Sequence, residues 1–563
     1  MEEFNTIERS QYMGSKGKLS HFMMRLLSTV KFDSSDRKLK KVLNIYHLIF
    51  LGISCTIGSG AYSIVGLAAQ KAGPGIVYTF IIVGLLCFFT CLPFAEFASK
   101  IQSSGFSYSF VYSSCGELLG YITGHLLHLL NIFSTAICAR CCCAYIASFL
   151  GMLELNIPLW LYDWEIFGCR ICILGALFVI GLSVLMLAGM KESTTVNNII
   201  SCINVCTLFF AIIAGLFYID SEKYYDDFLP FGFKGVFTGM GLTFYAFLGF
   251  EGLTCFTEEA LQPEKDLPIS LIITLVIAII VNGGIALVMT GMAPLALMNN
   301  NQSLLAVFKY RCPSWMAAII SIGSVSGLTA CQSACLMCQP RTFYSMAYDR
   351  LLPKAFLRVN PKTQVPDFSI IVTCIVASLI TLLFDVEVAG NAVSLGGLLI
   401  AAWVDLGVIG ARYESEYDFS KKINRGCIAF FFLTLILGFS LYYNISIILS
   451  IMCSILLIAI YYYIQLQPQV NIPIHFSCPC VPLVPLIGAA SFILMASIVP
   501  YDGWLIITIY IGLGLISYFM YGYWESKLNP YRRETEASIA PADLPMEIIG
   551  ELRKKLHSGN AES

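Results

Sequence analysis

Stretches of about 20 apolar residues follow one another along most of this chain, and 20 helical residues span the ~30 Å hydrocarbon core of a bilayer. This repetition constrains the fold more than any other feature. Such stretches lie near 44–68, 74–97, 116–150, 171–190, 196–219, 236–258, 268–294, 315–337, 367–384, 391–411, 427–443, 445–464, 483–500 and 504–523. The third is long enough to be one tilted helix or two segments. Charged residues make up 12% of the chain and hydrophobic residues 57%, against about 25% charge in a soluble domain. The expectation is an all-α polytopic membrane protein with about 14 transmembrane helices.

The net charge is −2, so no global field points to nucleic acid. The first apolar stretch begins near Val42, behind a polar and basic segment, with no cleavable signal peptide ahead of it. Within that segment, residues 19–32 place Leu19, Phe22, Met23, Leu26, Leu27 and Val30 on one helical face. Such a helix suits an anionic leaflet or the body of the protein equally. Most of the 22 cysteines fall inside apolar stretches, where they act as small hydrophobes. Cys335 and Cys338 form a CxxC, but two further ligands at zinc spacing are missing, so packing is expected there. No cofactor motif, metal cluster or nucleophile–base pair points to an enzyme, no repeated filter points to a channel, and no partner subunit is indicated.

Lys and Arg in short loops set orientation. They cluster in the N-terminal segment (Lys16, Lys18, Arg37, Lys38, Lys40 and Lys41), after span eight (Arg341, Arg350, Lys354, Arg358 and Lys362), after span ten (Arg412, Lys421, Lys422 and Arg425) and in the tail (Lys527, Arg532, Arg533). With an even number of spans these segments share one side, expected to be cytoplasmic, with both termini there. The sequons Asn301-Gln302-Ser303 and Asn444-Ile445-Ser446 fall on the other side. Asn444 sits against the membrane, so Asn301 is the expected glycosylation site.

Two spans are interrupted. The first carries Ser54-Cys55-Thr56-Ile57-Gly58-Ser59-Gly60 and the sixth Leu248-Gly249-Phe250-Glu251-Gly252. Helices break inside lipid only where they line a cavity. Paired glycine breaks five spans apart suit an inverted five-plus-five repeat with a binding site at its centre. The half-helix after Gly58-Ser59-Gly60 begins with unpaired N–H groups and a positive dipole end, where a carboxylate belongs. Carbonyls left open at the breaks suit an ammonium group. Glu251, a charge inside the membrane, would either attract a cationic side chain or brace the unwound segment. Glu96 reads as an anchor or gate at the end of span two, and Glu258 and Glu259 as interfacial. Asp405 and Arg140 each need a partner, and His125 and His128 read as packed or hydrogen-bonded.

Phe244-Tyr245-Ala246-Phe247-Leu248-Gly249-Phe250-Glu251 with Thr257-Glu258-Glu259 resembles the sixth-helix signature of cationic amino acid transporters, in the amino acid–polyamine–organocation superfamily. Thr56-Ile57-Gly58-Ser59-Gly60-Ala61-Tyr62, Lys71-Ala72-Gly73-Pro74-Gly75-Ile76, Ala95-Glu96-Phe97 and the segment from Pro340 to Asp349 resemble the same group, over about residues 35–525. The resemblance implies a leucine-transporter-type core of ten helices plus four accessory ones. The corresponding divisions are a cytoplasmic N-terminal segment (1–43), the transport core (44–411), the accessory helices (412–525) and a cytoplasmic tail (526–563). It implies sodium-independent movement of arginine, lysine or ornithine across the plasma membrane or an endolysosomal one, without ATP. Carried over by position, Ile57, Gly58, Ser59 and Gly60 would meet the substrate carboxylate. Tyr245, Ala246 and Leu248 would meet its amine, with Tyr245 as an aromatic lid. Asn204 stands where some relatives place a lysine instead of sodium. The chain departs from the group in having Glu251 for an aspartate, Gly124-His125-Leu126 for Gly-Trp-Asn, and Ile400-Ala401 for alanine-tyrosine.

Overall fold

The computed structural model describes residues 26, 28, 29, 41 and 43–529, apart from 102, 167–168, 189, 221–227, 299–301, 361–362, 364, 385, 414–418 and 474. Asn301, most of the 19–32 segment and residues 530–563 lie outside the described residues. Each expected span is helical. In chain order they are Ile45–Thr56 with Val65–Ala72, Ile76–Lys100, Glu117–Met152, Ile173–Ala188, Met190–Leu216, Gly232–Thr243 with Phe250–Glu259, Pro263–Met292, Ser314–Tyr348, Asp367–Leu383, Val386–Arg412, Phe419–Tyr442, Ile447–Gln465, Leu483–Ile498 and Tyr501–Ser517, the last running on to Glu525. The third is one continuous helix of 36 residues, about 54 Å long, which can cross a ~30 Å core only at a tilt.

Position in the bundle follows from what each helix faces. The apolar window of the tenth span is 94% buried and that of the third 83%, whereas that of the twelfth is 17% buried. The third and tenth therefore belong to the interior. The twelfth turns Ile448, Ile451, Ile455 and Ile458 outward, as a lipid-facing helix must. The third span packs along the eighth and against the tenth, the seventh along the second, and the fourth along the ninth, while the thirteenth bridges the tenth and eleventh. A two-stranded hairpin, β1 (Trp164–Ile166) and β2 (Cys169–Ile171), links spans three and four antiparallel, with Glu165 opposite Arg170.

Two buried arginines inside the bundle are paired with carboxylates, as the cost of burying an unpaired charge favours. At the end where the second and tenth spans finish, Arg412 grips Glu96 with two bonds of 3.0 and 2.6 Å. Arg412 also donates to the Cys478 carbonyl, and the Cys478 N–H donates to Glu96 at 2.8 Å. Spans two and ten are thereby tied to the loop before span thirteen, an anchoring role as expected for Glu96. Glu258 and Glu259, at the end of span six, are buried against neighbouring segments. Arg341 donates twice to Glu259 at 3.0 and 2.6 Å, and Ser104 N–H donates to Glu258 at 2.8 Å. The sixth span folds back into the bundle there, which draws both carboxylates to donors on neighbouring segments.

Arg140 and Asp405 also have partners. Arg140 donates to the carbonyls of Thr381 and Leu382, at the last turn of span nine, and of Arg170, the usual place for a cation on a helix C-terminus. The Thr90 hydroxyl donates to Asp405 at 2.7 Å. His128 pairs with Gln339 at 2.6 Å and stacks on Phe343, and His125 stacks on Tyr510 with ring centroids 4.2 Å apart.

Candidate functional site

The two interrupted spans touch at their breaks. The first helix ends with the Ile57 N–H bonded to the Ile53 carbonyl, and the chain re-enters helix at Gly60. The sixth passes from Thr243 through a tight turn at Phe244–Ala246 to Gly249, whose φ of 110° is open to glycine without strain. A Cβ on Gly249 would stand 2.3 Å from the Cys55 carbonyl oxygen, and one on Gly60 2.6 Å from the Ala246 Cα. Both breaks therefore require glycine because each presses on the other's backbone.

A cavity of about 50 Å³ opens between the breaks and the third and eighth spans. It has room for about three to five water-sized spheres. Its floor is Gly58, Ser59 and Gly60; opposite stand Tyr245, Leu248, Gly249 and Glu251. The third span contributes Leu127, Leu130, Asn131 and Ser134, and the eighth Cys331, Cys335 and Cys338. The Tyr245 and Ser59 hydroxyls meet at 2.8 Å, a bond across both breaks.

Of the residues named from sequence, Gly58, Ser59, Gly60, Tyr245, Leu248 and Glu251 converge on this cavity. Ile57 and Ala246 stand behind its wall. The Ile57 carbonyl accepts from Asn204 at 3.1 Å and the Ala246 carbonyl from Asn282 at 3.0 Å. Asn204 also accepts from Tyr62 at 2.5 Å, so this amide fastens the fifth span to the first break. Asn282 does the same for the seventh span and the sixth break. Asn282 was not singled out in the sequence; a lone asparagine in the apolar seventh span is the signal that marks it.

Glu251 is the one carboxylate among the described residues lining the cavity. Its Oε2 accepts from the Gly249 N–H at 3.0 Å. One oxygen thus braces the unwound turn while the side chain still faces the cavity, so the two roles open in the sequence are compatible. Asn131, Ser134 and the thiols were not expected at the wall. They look unremarkable in sequence because helical phase alone does not say which neighbour a face meets.

Two discontinuous helices crossing at a buried, partly polar cavity define a multi-pass carrier of the leucine-transporter type. The chain belongs to the amino acid permease family, whose model matches residues 43–520. Among similar proteins, a methylthioribose transporter of Bacillus subtilis (strain 168) is 29% identical over 91% of this chain and 99% of its own length. The vacuolar cationic amino acid transporter 4 of Arabidopsis thaliana is 32% identical over 68% of this chain and 65% of its own. A branched-chain amino acid permease of B. subtilis is 28% identical over 88% and 96%. The solved structure of a Na+-coupled sialic acid symporter shares the fold, with a TM-score of 0.50 at 14% identity over 76% of this chain and 91% of that one.

Proposed function

We propose that this protein is a sodium-independent carrier of amino acids, with preference for cationic ones, that works by alternating access through residues 44–411. The observation that carries the reading is Glu251, a carboxylate on the wall of a cavity whose floor is a helix N-terminus. The substrate carboxylate would lie at Gly58, Ser59 and Gly60, at the positive dipole end. Its ammonium would face the Tyr245–Leu248 turn. A lysine or arginine side chain leaving water needs a counter-charge, and Glu251 supplies it.

The test is a competition series. In Glu251→Gln, arginine uptake should weaken far more than uptake of a neutral amino acid. Losing one charge-assisted hydrogen bond is worth about 1.5–3 kcal/mol, roughly tenfold to more than a hundredfold in affinity. Equal loss for arginine and leucine would leave Glu251 as a brace only. Leucine competing where arginine does not would establish the second reading, a neutral amino acid carrier. Leu127, Leu130 and Phe106 on the wall favour that reading, as does the name of the branched-chain relative. A sensor would bind in the same cavity, and absence of any labelled uptake into vesicles would identify it.

Asn204 supports sodium independence. Its amide nitrogen donates to the Ile57 carbonyl at the first break, taking up one of the two lone pairs that a cation there would use. Uptake should persist undiminished when sodium is replaced by an impermeant organic cation; a strict sodium requirement would overturn this part.

Both termini are assigned to the cytoplasm of a plasma-membrane carrier. The endolysosomal membrane is the second candidate, favoured by the vacuolar name of the plant relative. The cation clusters motivate the orientation. Protease protection of an N-terminal tag, and a glycosidase-sensitive mobility shift that disappears in Asn301→Gln, check it. A tag accessible from outside intact cells would reverse the topology.

A further inference from the structure

The eighth span turns Cys331, Cys335 and Cys338 toward the cavity, at i, i+4 and i+7, one face of a helix. Cys55, the penultimate residue of the helical turn before the first break, lines the same wall. Cys55 and Cys338 thus come from different spans to the same stretch of wall. Gly252, just past the sixth break, sits between them. A Cβ there would stand 3.6 Å from the Cys55 sulfur and 3.8 Å from the Cys338 sulfur. Cys338 further donates to the Gly252 carbonyl at 3.8 Å. Two thiols from different helices thus meet at a glycine, on the wall of a cavity beside Glu251.

We propose that the cavity is also a dithiol site, where Cys55 and Cys338 together capture a trivalent organoarsenical and thereby stop transport. This inference rests on the cavity being the substrate site. In the capture step a hydrated arsenoxide, RAs(OH)2, forms two As–S bonds. Each thiol proton leaves with one hydroxide as water, and arsenic stays trivalent, so no electrons are transferred. The bridge ties the first span to the eighth across the break and fills a space of about 50 Å³. Both effects oppose the rearrangement that a carrier needs in order to release its load.

The test uses the full-length carrier and phenylarsine oxide, with mass-spectrometric identification of arsenic-bridged peptides. Inhibition is read as a fraction of each variant's own uptake. The expected result is a bridge between the Cys55 and Cys338 peptides, complete inhibition, reversal by a dithiol and none by a monothiol. In Cys55→Ser and Cys338→Ser, and in the matching alanine variants that add no hydroxyl, inhibition should need about a hundredfold more arsenical, the advantage of a second attachment. Cys335→Ser, read against its own uptake, should need the same arsenical concentration for inhibition as the parent. A bridge confined to Cys331 and Cys335, or inhibition unchanged in both pair variants, overturns the proposal. Saturating amino acid should slow capture. Capture at the Cys55–Cys338 pair that arginine and leucine both fail to slow supports the dithiol site and overturns the cavity as the substrate site.

Discussion

Gly60→Val should abolish uptake in a protein that still reaches the membrane, and Gly60→Ala should already reduce it severely. The first methyl group placed on Gly60 meets the Ala246 Cα at 2.6 Å and its Cβ at 2.7 Å. Backbone on the opposing break cannot step aside as a flexible side chain would. Overpacking of this kind costs about 1–3 kcal/mol, roughly fivefold to more than a hundredfold if borne by the transport-competent state. Valine adds a branched carbon where the half-helix N–H groups would approach the substrate. Gly283→Ala serves as the control, because nothing lies within 4 Å of its added carbon. Surface abundance and initial uptake rate are measured together. Normal uptake in Gly60→Val would remove the first break from the binding site.

Arg412→Ala should produce the largest loss of stability. It leaves Glu96 buried, 4% exposed, with the Cys478 N–H as its remaining donor beside it. Removing one member of a buried ion pair costs about 3–5 kcal/mol, since the other charge stays desolvated. The readout is the unfolding temperature of purified protein in detergent, compared with Glu96→Gln and with the double variant. The double variant should be clearly more stable than the sum of the two single losses, the signature of direct coupling. Strict additivity would mean that the pair is solvated and contributes little. Because the pair also holds the loop before span thirteen, Arg412→Ala should expose that loop to protease before the core unfolds.

The sequence by itself determined the class of fold. Helix in hydrocarbon satisfies its own backbone, so each apolar stretch near 20 residues could be assigned without knowing its neighbours. All fourteen among the described residues fall where hydropathy placed them. The breaks were legible for the same local reason, since Gly58-Ser59-Gly60 and Gly249-Phe250-Glu251-Gly252 interrupt otherwise apolar runs. What tertiary structure decided is which helix faces which. The partners of Arg140 and Asp405, the burial of Glu258 and Glu259, and the Asn282 clasp on Ala246 all lie tens or hundreds of residues away in the chain. Periodicity sets the phase of a side chain on its own helix but not the identity of the helix opposite. For that reason the glycines could be read as breaks, while the backbone contacts that make Gly60 and Gly249 indispensable, and the thiols gathered around Gly252, appear only once the bundle is assembled.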